Sequence, residues 1–600
     1  MFLGMFRTAF FLVSICCCSF YWCHGCLEEE RTLLLQIKDS INCPGGSSLD
    51  EDWIGKNCCQ WHGVDCNPSS SRVISIDLSF VRKDRLGLWY PNTSLFAPFK
   101  ELEELDLKGN QIGGWVMPQG LCELKNLQAL YLGINNHDGR ALPPCLSNLS
   151  MLETLLLSQN DLGSYSSALT GICELTTLRV LVLGGNRLND HSIPKCLGNL
   201  SLLEGLHLWE NELKSSFRSL TGTTPLLSTL DCQNNKLQGN ILSKFSNMTE
   251  LVVLLLGNNG FTGTIASNML NSPSLKILDL SKNNLSGFIP SWLPLLMNLA
   301  ILHLDGNFFN GPIPSEVCQM QNLHTLDLSN NKISGSIPSC LPNISSWMKE
   351  IPIDIDVSFT RVLYALNSTY TDTFNARVTT ILTTKGMTLT YEGLPLSLMT
   401  IIDLSMNQLT GNIPSQTGHL KALHSLNLSN NILSGHIPES FQNLESIESL
   451  DLSYNKIVGT IPPQMVQLYK LSTFNVSFNN LSGAIPYEKQ FTTFKESSYT
   501  ANPYLCGPPL QWSRSCNNSS QPRDNKEEEE EEDDSTVLDN PLFFYLWVAI
   551  SYILGFWGFI ALFANKNWRW KFFRTVDGCF DSSYLNLHMF RLYLKNSCCN

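Results

Sequence analysis

A unit of 24 residues recurs along this sequence of 600 residues, and one copy occupies 275–298. If its first leucine is step 0, leucines also stand at step 3 (Leu278) and step 5 (Leu280), and an asparagine stands at step 8 (Asn283). A Gly-x-Ile-Pro segment follows at 287–290. Side chains two residues apart on a strand point to the same side, so we expect steps 3 and 5 to fill the inside of a coil. A fixed period of roughly 20 to 30 residues with this spacing predicts stacked repeats.

Fourteen copies of the unit can be counted. They start at Leu102, Leu127, Leu152, Leu178, Leu203, Leu227, Leu251, Leu275, Leu299, Leu323, Met399, Leu423, Ile447 and Leu471. Each has asparagine at step 8, from Asn110 to Asn479, and a degenerate copy at 72–95 precedes them. One copy cannot bury its leucines alone, so neighbours must stack. Separate amphipathic helices are disfavoured because glycine and proline recur inside the period. The predicted fold class is an α/β-type repeat solenoid of leucine-rich repeats.

Charge and cysteine content narrow the classes of function. Only 16% of the residues are charged and the formal net charge is −13, whereas a nucleic-acid-binding protein needs a basic face. Twenty-one cysteines would be unusual in a cytosolic chain and suit an oxidising compartment. We therefore predict an extracellular repeat domain with no nucleic-acid partner.

The beginning of the sequence is typical of a secretory signal peptide. Residues 1–25 combine Arg7, an apolar run and a small residue at Gly25, which predicts cleavage before Cys26. An uncleaved membrane anchor is the alternative.

A second apolar segment lies near the end of the sequence. Residues 542–563 carry no charge and are long enough to span a bilayer as a helix. An acidic stalk at 517–541 precedes them, and four basic residues follow: Lys566, Arg569, Lys571 and Arg574. Positive charges remain on the cytosolic side. We therefore predict a single-pass type I plasma-membrane protein with extracellular repeats and a cytoplasmic tail at 564–600.

Three pairs of cysteines share one position in the repeat. In each pair the first cysteine lies 5 residues before a repeat start, and the second lies 7 residues before the next start, which for the last pair is position 347, where another unit would begin. The pairs are Cys122 with Cys145, Cys173 with Cys196, and Cys318 with Cys340. Adjacent coils are ~4.8 Å apart on the strand side and bridged Cα atoms lie ~4.4–6.8 Å apart, so we predict disulfides between neighbouring coils. Buried free thiols are the alternative. Cys232 replaces a step-5 leucine and is predicted to be a buried free thiol.

Three segments outside the repeats, and one interruption, point to a known family. The segments read CLEEERTLLLQIK at 26–38, WIGKNCCQWHGVDC at 53–66 and NPYLCGPPLQWSRSC at 502–516. The interval from the repeat at Leu323 to the next is 76 residues, and its surplus contains RVTTILTTKGMTLTYEG, which alternates like a strand or hairpin. In these features the chain resembles plant leucine-rich-repeat receptor-like proteins, the kinase-less relatives of leucine-rich-repeat receptor kinases. The resemblance implies a horseshoe or superhelix with disulfide-bonded caps, bridged as Cys26–Cys58, Cys59–Cys66 and Cys506–Cys516.

This resemblance and the segments above predict the following order of domains. After the signal peptide come an N-terminal cap (26–71), leucine-rich repeats (72–346), an island domain (347–398), four repeats (399–486), a C-terminal cap (487–516), the stalk, one transmembrane helix and the tail. A disordered linker is the alternative to an ordered island, but Thr, Val, Ile and Tyr are frequent there and charge is low.

Catalytic chemistry is not predicted for this chain. About 37 residues follow the predicted membrane span, too few for a protein kinase domain, and the sequence has no Gly-rich phosphate loop, His-Arg-Asp or Asp-Phe-Gly motif. The eleven histidines show no metal-ligand spacing. We expect no enzyme activity and no cofactor.

What the resemblance implies is a plasma-membrane receptor that binds an extracellular peptide or protein. Such a protein signals through receptor kinases that act as adaptor and co-receptor, in plant defence or development. Two alternatives are an accessory subunit that binds no ligand itself and an inhibitor-type binding protein anchored at the membrane.

The predicted ligand surface is the concave strand face, where steps 2, 4, 6 and 7 point outward. Step 4 is usually Asp or Asn, and the departures fall into two groups of apolar and aromatic residues, which we expect to be exposed and to contact the ligand. The first group is Tyr131, Leu156, Val180, Val182, His207 and Trp209, and the second is Val253, Leu255, Ile277, Ile301 and His303. The alternative is that these side chains pack on each other, or lie under glycans, without a partner. The island and the four repeats after it are left for a co-receptor.

Twelve Asn-x-Ser/Thr sequons predict a glycosylated, secreted surface. They begin at Asn92, Asn148, Asn199, Asn247, Asn284, Asn343, Asn367, Asn427, Asn475, Asn480, Asn517 and Asn518. Asn427 and Asn475 are predicted to lie on strands and therefore to be unused.

Overall fold

The fold is taken from a computed structural model. It describes residues 26–41, 49, 53–135, 142, 145–164, 169–191, 193, 195–214, 224–240, 248–349, 380–384, 387–391 and 399–510. The predicted signal peptide, acidic stalk, membrane span and cytoplasmic tail lie outside these residues. Within the described ranges, no helix has the length and apolarity needed to cross a bilayer.

One long sheet of sixteen strands runs through the repeats. Its strands in order are Val64–Cys66, Val73–Asp77, Glu104–Asp106, Ala129–Tyr131, Thr154–Leu156, Val180–Val182, Gly205–His207, Thr229–Asp231, Val253–Leu255, Ile277–Asp279, Ile301–His303, Thr325–Asp327, Ile401–Asp403, Ser425–Asn427, Ser449–Asp451 and Thr473–Asn475. The first pair is antiparallel, and the rest are parallel and aligned residue for residue. The parallel strands confirm the predicted stacking of repeats.

Short strands of a second layer continue after the asparagine of each regular repeat. A seven-stranded sheet contains Gln238–Gly239, Gly260–Gly263, Asn284–Phe288, Phe308–Gly311, Lys332–Gly335, Gln408–Asn412 and Ile432–Ser434. A three-stranded sheet contains Val458–Gly459, Asn480–Ala484 and Tyr504–Cys506, and the hairpin pairs Thr380–Thr384 with Met387–Tyr391. The predicted hairpin is thereby confirmed.

Helical segments close the other side of the coils. The α-helices among the described residues are Glu28–Ile41 and Ser345–Met348. The 3₁₀ helices are Cys58–Gln60, Asp84–Leu86, Thr93–Leu95, Pro118–Glu123, Leu146–Asn148, Leu162–Ser164, Thr170–Glu174, Lys195–Asn199, Ser267–Asn271, Leu293–Leu295, Ser315–Gln319, Leu341–Asn343, Ser415–His419, Glu439–Asn443, Pro463–Gln467, Lys489–Thr493 and Glu496–Ser498. These turns are short, as is usual for 3₁₀ segments used as connectors.

The step-8 asparagines hold neighbouring coils together. Asn283 donates from Nδ2 to the carbonyl of Leu256 in the preceding repeat (3.0 Å) and to that of Leu280 in its own (3.1 Å). Its Oδ1 accepts the backbone N–H of Phe261 (3.1 Å). The amide thus satisfies backbone groups that the turning chain would otherwise bury unpaired. Together with the buried leucines at steps 0, 3 and 5, this ladder defines the core.

Disulfides join the coils at the predicted places. Cys122–Cys145, Cys173–Cys196 and Cys318–Cys340 are bonded, with Cα–Cα distances of 5.8, 5.7 and 5.8 Å. The N-terminal cap contains Cys26–Cys58 and Cys59–Cys66. Cys506 is also disulfide-bonded, and its predicted partner Cys516 lies outside the described residues. Cys232 is a buried free thiol, as predicted.

The sheet passes across the predicted island without losing register. Asp327 pairs directly with Asp403, so the strand before the inserted segment and the strand after it are adjacent in the sheet. Trp347, which we assigned to the island, is instead fully buried in the repeat core. Its indole N–H donates to the carbonyl of His324 (3.0 Å), and its own carbonyl accepts the N–H of Ala422 (3.0 Å). The repeat core therefore extends past the predicted boundary, because this indole fills the space that a repeat leucine would fill.

Candidate ligand-binding face

We use the term strand face for the side chains at steps 2, 4 and 6, on the side of the long sheet away from the leucine core. Strand alternation places these side chains together. Residue-for-residue register then aligns them in columns along the solenoid. Every residue predicted to contact a ligand lies on this face.

The first predicted group forms an apolar cluster that is separate from the main core. Ala129, Tyr131, Leu156, Val180 and Val182 pack together. We expected these side chains to be exposed, and that expectation is wrong, because Leu156 is only 2% exposed and Val182 only 7%. Side chains aligned on strands ~4.8 Å apart cover one another, which is the packing that we gave as the alternative.

Two polar or aromatic members of that group lie at its edge. His207 is buried as well, and its Nδ1 lies 3.8 Å from a carboxylate oxygen of Asp231 on the next strand. Trp209 is half-buried, and its indole lies where a side chain on Gly184 would stand. Glycine at that position lets the indole lie flat on the backbone of the preceding repeat.

The second predicted group is also a separate packed cluster. Val253, Leu255, Ile277 and Ile301 are buried with Ala300 and Ile401, a strand beyond the island. The expectation of exposure is wrong here for the same reason of in-register packing. His303, also predicted to be exposed, is 3% exposed.

Carboxylates line the face beside this second cluster. Burial, reinforced by neighbouring carboxylates, raises the pKa of Asp305 to about 8 and that of Asp403 to about 7. Burial also raises the pKa of Asp327 to about 6, although Ser329 donates hydrogen bonds to its carboxylate. Lys282 acts against these shifts at Asp305 and Asp327. Burial lowers the pKa of His303, and the nearby carboxylate of Asp279 opposes that change.

Sequence reasoning treated these aspartates as solubilising residues and missed their burial. It also missed an exposed apolar row at step 7 of the repeats after the island. Met406, Tyr454 and Phe478 each have positive φ (53°, 52° and 55°), which is uncommon for bulky residues. The rings of Tyr454 and Phe478 stack with centroids 4.1 Å apart, and all three side chains are exposed. The available signal was a large apolar side chain at a step where half of the repeats have Asn or Gly.

The sequons occupy different environments. Asn427 and Asn475 lie on strands of the long sheet and donate from Nδ2 to Asp403 (2.9 Å) and Asp451 (3.3 Å). Asn148, Asn199, Asn284, Asn343 and Asn480 are exposed and Asn92 is half-buried. Asn247, Asn367, Asn517 and Asn518 lie outside the described residues. Glycosylation of the accessible sequons stays a prediction.

The part of the chain that the structure describes contains no group of three or more His, Cys, Asp or Glu residues placed to hold a metal ion. The strand face instead offers two apolar clusters beside carboxylates and histidines. Such a combination suits non-covalent recognition of a ligand through apolar contact and charge.

Comparison with known proteins first defines the class. Family models match at 27–67 (leucine rich repeat N-terminal domain), 90–310 (leucine-rich repeat region), 322–344 (leucine rich repeat), and 397–457 and 421–481 (leucine rich repeat). The chain is thus a leucine-rich-repeat protein with an N-terminal cap. A solved TDR receptor has the same fold, with a TM-score of 0.51 and 26% identity over 72% of this chain and 67% of that one.

Curated relatives then show which leucine-rich-repeat proteins the chain is similar to. Cuscuta receptor 1 of Solanum lycopersicum is 34% identical over 235 residues, which is 36% of this chain and 21% of that protein. Receptor-like protein 9a of Arabidopsis thaliana is 33% identical over 191 residues, or 30% of this chain and 19% of that protein. The matches therefore span about a fifth of these relatives. Over its repeats the chain is therefore similar to plant leucine-rich-repeat receptor-like proteins.

Proposed function

We propose that this protein is a cell-surface receptor that binds an extracellular peptide or protein on its strand face. It signals through partner receptor kinases, in plant defence or development. It contributes no catalysis of its own, and the basic residues after its predicted membrane span support an extracellular position for the repeats.

One observation carries the proposal most directly. Apolar clusters on the strand face pack apart from the leucine core, although the coil does not need them for its own stacking. Apart from Ile401 and Thr473, repeats after the island instead carry Asp, Asn and Ser on the same face. Side chains that the solenoid itself does not need, grouped in successive repeats, support a role in recognition.

The exposed row of Met406, Tyr454 and Phe478 supports a second contact, for a partner receptor kinase. Stacked aromatic side chains offer a large apolar area at low cost in side-chain entropy and are enriched at protein interfaces. In this arrangement the repeats before the island contact the ligand, and those after it contact the co-receptor.

A chimera separates a receptor from an accessory subunit. The full extracellular part is joined to the kinase-bearing tail of a leucine-rich-repeat receptor kinase, and cells are treated with fractionated extracellular fluid from plants. Autophosphorylation of the chimera is expected if the repeats sense a ligand. No response to any fraction would favour the accessory or inhibitor-type alternative.

Variants of the chimera locate the site. Leu156→Thr, Val182→Thr and Trp209→Ser together should abolish the response while surface delivery stays normal, because these positions lie outside the leucine core. Leu295→Ser with Met297→Ser, at two exposed positions away from the strand face, is the control and should respond like the wild type. A triple variant that reaches the surface and responds fully would place the site elsewhere.

A further inference from the structure

Three carboxylates surround one histidine in the middle of the strand face. His303 is in register with Asp279 on one side and with Asp327 on the other. Asp305 lies two residues further along the strand of His303 and points to the same face. Lys282 is the cation whose charge acts on this group. The group therefore places three carboxyl groups around one histidine in a largely buried place.

Hydrogen bonds among the described residues leave this group incomplete. The Nε2 atom of His303 and the hydroxyl of Thr325 are buried without a hydrogen-bond partner. Asp279 accepts only from the backbone N–H of Ser281 (2.9 Å), and Asp327 only from Ser329 (2.9 Å). Buried polar groups in native proteins are nearly always paired, so a cluster of unpaired ones requires an explanation.

The step-4 residues of the repeats after the island show that the missing hydrogen bonds are confined to the region around His303. Asp403 accepts from the backbone of Ser405 and also from Asn427 on the next strand (both 2.9 Å). Asp451 accepts from Ser453 and, across the strands, from Asn475 (3.3 Å). The repeat thus has a standard way to satisfy a step-4 aspartate, which is to place asparagine on the next strand. Around His303 the neighbours are aspartates, so no such donor is present.

We infer that Asp279, Asp327 and Asp305 form a subsite for a cationic side chain of the ligand, with His303 and Thr325 as hydrogen-bond partners. This inference rests on the proposed receptor function and names the chemistry of what is bound. A guanidinium or ammonium group carries several N–H donors and would meet the unpaired carboxylate oxygens. The described residues offer no cluster fit for a metal ion, which favours an organic cation.

Neighbouring side chains define the rest of the ligand. Ile277 and Ile301 lie at step 2 of the strands that carry Asp279 and His303 at step 4. An extended peptide along the boundary between these two columns alternates its side chains between them. It would place an apolar residue against the isoleucines and a basic one against the carboxylates. The ligand class is therefore a peptide in which lysine or arginine adjoins an apolar residue.

Random peptides displayed on phage provide the test. They are selected on the full-length wild-type protein, on Asp279→Asn with Asp327→Asn, and on the control Asp106→Asn with Asp451→Asn. The control removes the same charge from the same column outside the subsite. Peptides selected on the wild type and the control should carry Lys or Arg beside an apolar residue. Peptides selected on the subsite variant should lack the Lys or Arg.

A pair of synthetic peptides tests the subsite on the wild-type protein, so the result does not depend on whether a variant folds. The best selected peptide is compared with a copy in which citrulline replaces arginine, and the citrulline copy should bind the wild type at least about tenfold more weakly. Equal binding of the two, or selected peptides without basic residues, would overturn the subsite and leave the receptor function standing. A calcium-induced rise in melting temperature that the subsite variant loses would assign the carboxylates to a metal and also overturn it. Failure to select any peptide would contradict the receptor proposal itself.

Discussion

The repeats before the island, from Leu102 to Leu323, and the four after it, from Met399, share one core but differ on the strand face. We call them the first and second arrays. In both, the step-8 asparagine donates to the preceding coil at the same distance. Asn331 bonds the carbonyl of Leu304 and Asn431 bonds that of Leu404, each at 2.9 Å. The backbone architecture therefore does not distinguish the arrays.

The strand face does distinguish them. In the second array, Asp403, Asn427, Asp451 and Asn475 alternate and form side-chain hydrogen bonds across strands. In the first array the same column contains apolar residues, histidines and carboxylates that lack such donors. A solenoid can thus satisfy this face entirely from its own sequence, and the first array does not. The difference indicates selection for something other than folding.

The disulfides between coils also distinguish the first array from the second. Three of them join neighbouring coils of the first array, whereas the described residues of the four repeats in the second array contain no cysteine. Intervals of 25 or 26 residues also occur only near the start of the first array. Two of the three disulfides thus lie among the less regular repeats, and all three lie in the array whose strand face departs from Asp, Asn and Ser.

The largest effect is expected where the arrays meet. Trp347→Ala removes a fully buried indole whose N–H donates to His324 of the first array, at a residue whose backbone carbonyl accepts from Ala422 of the second. Loss of a buried tryptophan side chain of this kind costs about 3–5 kcal/mol. Chemical denaturation of the full chain measures the loss, and amide hydrogen exchange should accelerate first at the start of the second array. Trp292→Ala, at a half-buried indole, is the control with a smaller expected loss. A loss at Trp347 no larger than at Trp292 would contradict its role as the joint.

A smaller effect is expected from the disulfide nearest the joint. Replacing Cys318 and Cys340 by alanine opens a loop of 22 residues, for which chain entropy predicts a loss of about 3 kcal/mol. Hydrogen exchange should rise at 299–344 and stay unchanged at 423–484, because the change acts on the first array alone. An equal rise in both segments would show that the arrays unfold as one unit and would remove the distinction drawn from the disulfides.

Stability should also depend on pH through the carboxylates. Burial raises the folded-state pKa of Asp305 to about 8 and that of Asp327 to about 6, with Asp279, Lys282 and His303 as the facing charged groups. These two carboxyl groups therefore bind more protons in the folded protein than in the unfolded chain. Their contribution to the free energy of unfolding is largest below about pH 4 and falls as the pH rises to about 8. Each unit of pKa difference contributes about 1.4 kcal/mol.

Replacing Asp305 and Asp327 by asparagine should flatten this dependence. Thr325→Val is the matched control, because it removes a buried unpaired hydroxyl and no titratable group, and its slope should equal that of the wild type. Denaturant midpoints across the pH range provide the measurement. An undiminished slope in the Asp305 and Asp327 variant would show that other groups set the dependence.

The smallest effect on stability is expected at the exposed row of the second array. Tyr454→Ala with Phe478→Ala breaks a stacked pair on the surface, for which about 0.5–1.5 kcal/mol is typical. Co-precipitation with partner kinases should fall much more than stability does. Phe288→Ala, at an exposed phenylalanine of the first array, should change neither. Unchanged co-precipitation would separate this row from partner binding.

Sequence alone predicted the elements that repeat. The period placed the strands, and the shared cysteine offset located Cys122–Cys145 and its two counterparts. Both predictions follow from short spacings in the sequence that recur from one copy of the unit to another. The hairpin at 380–391 was recognisable because its residues alternate.

Predictions from the sequence failed for burial and hydrogen bonding that depend on side chains of neighbouring coils. Alternation shows that Leu156 faces away from the leucine core, but its burial is set by the side chains on the adjacent strands. Trp347 stands where the next unit would start after Leu323, but it is not a leucine and no leucine pattern follows it, so we placed it in the island. The unpaired state of His303 depends on the aspartates of two other repeats, which are adjacent only once the coils are stacked.

The central claim is that the first array, and not the second, contacts the ligand. Photo-crosslinking tests it directly. A peptide selected on the full-length protein is synthesised with a benzophenone side chain, irradiated in the complex and mapped by mass spectrometry. The account predicts crosslinks within 129–327, centred on the strands Ile277–Asp279 to Thr325–Asp327. Crosslinks confined to 399–484 would contradict it.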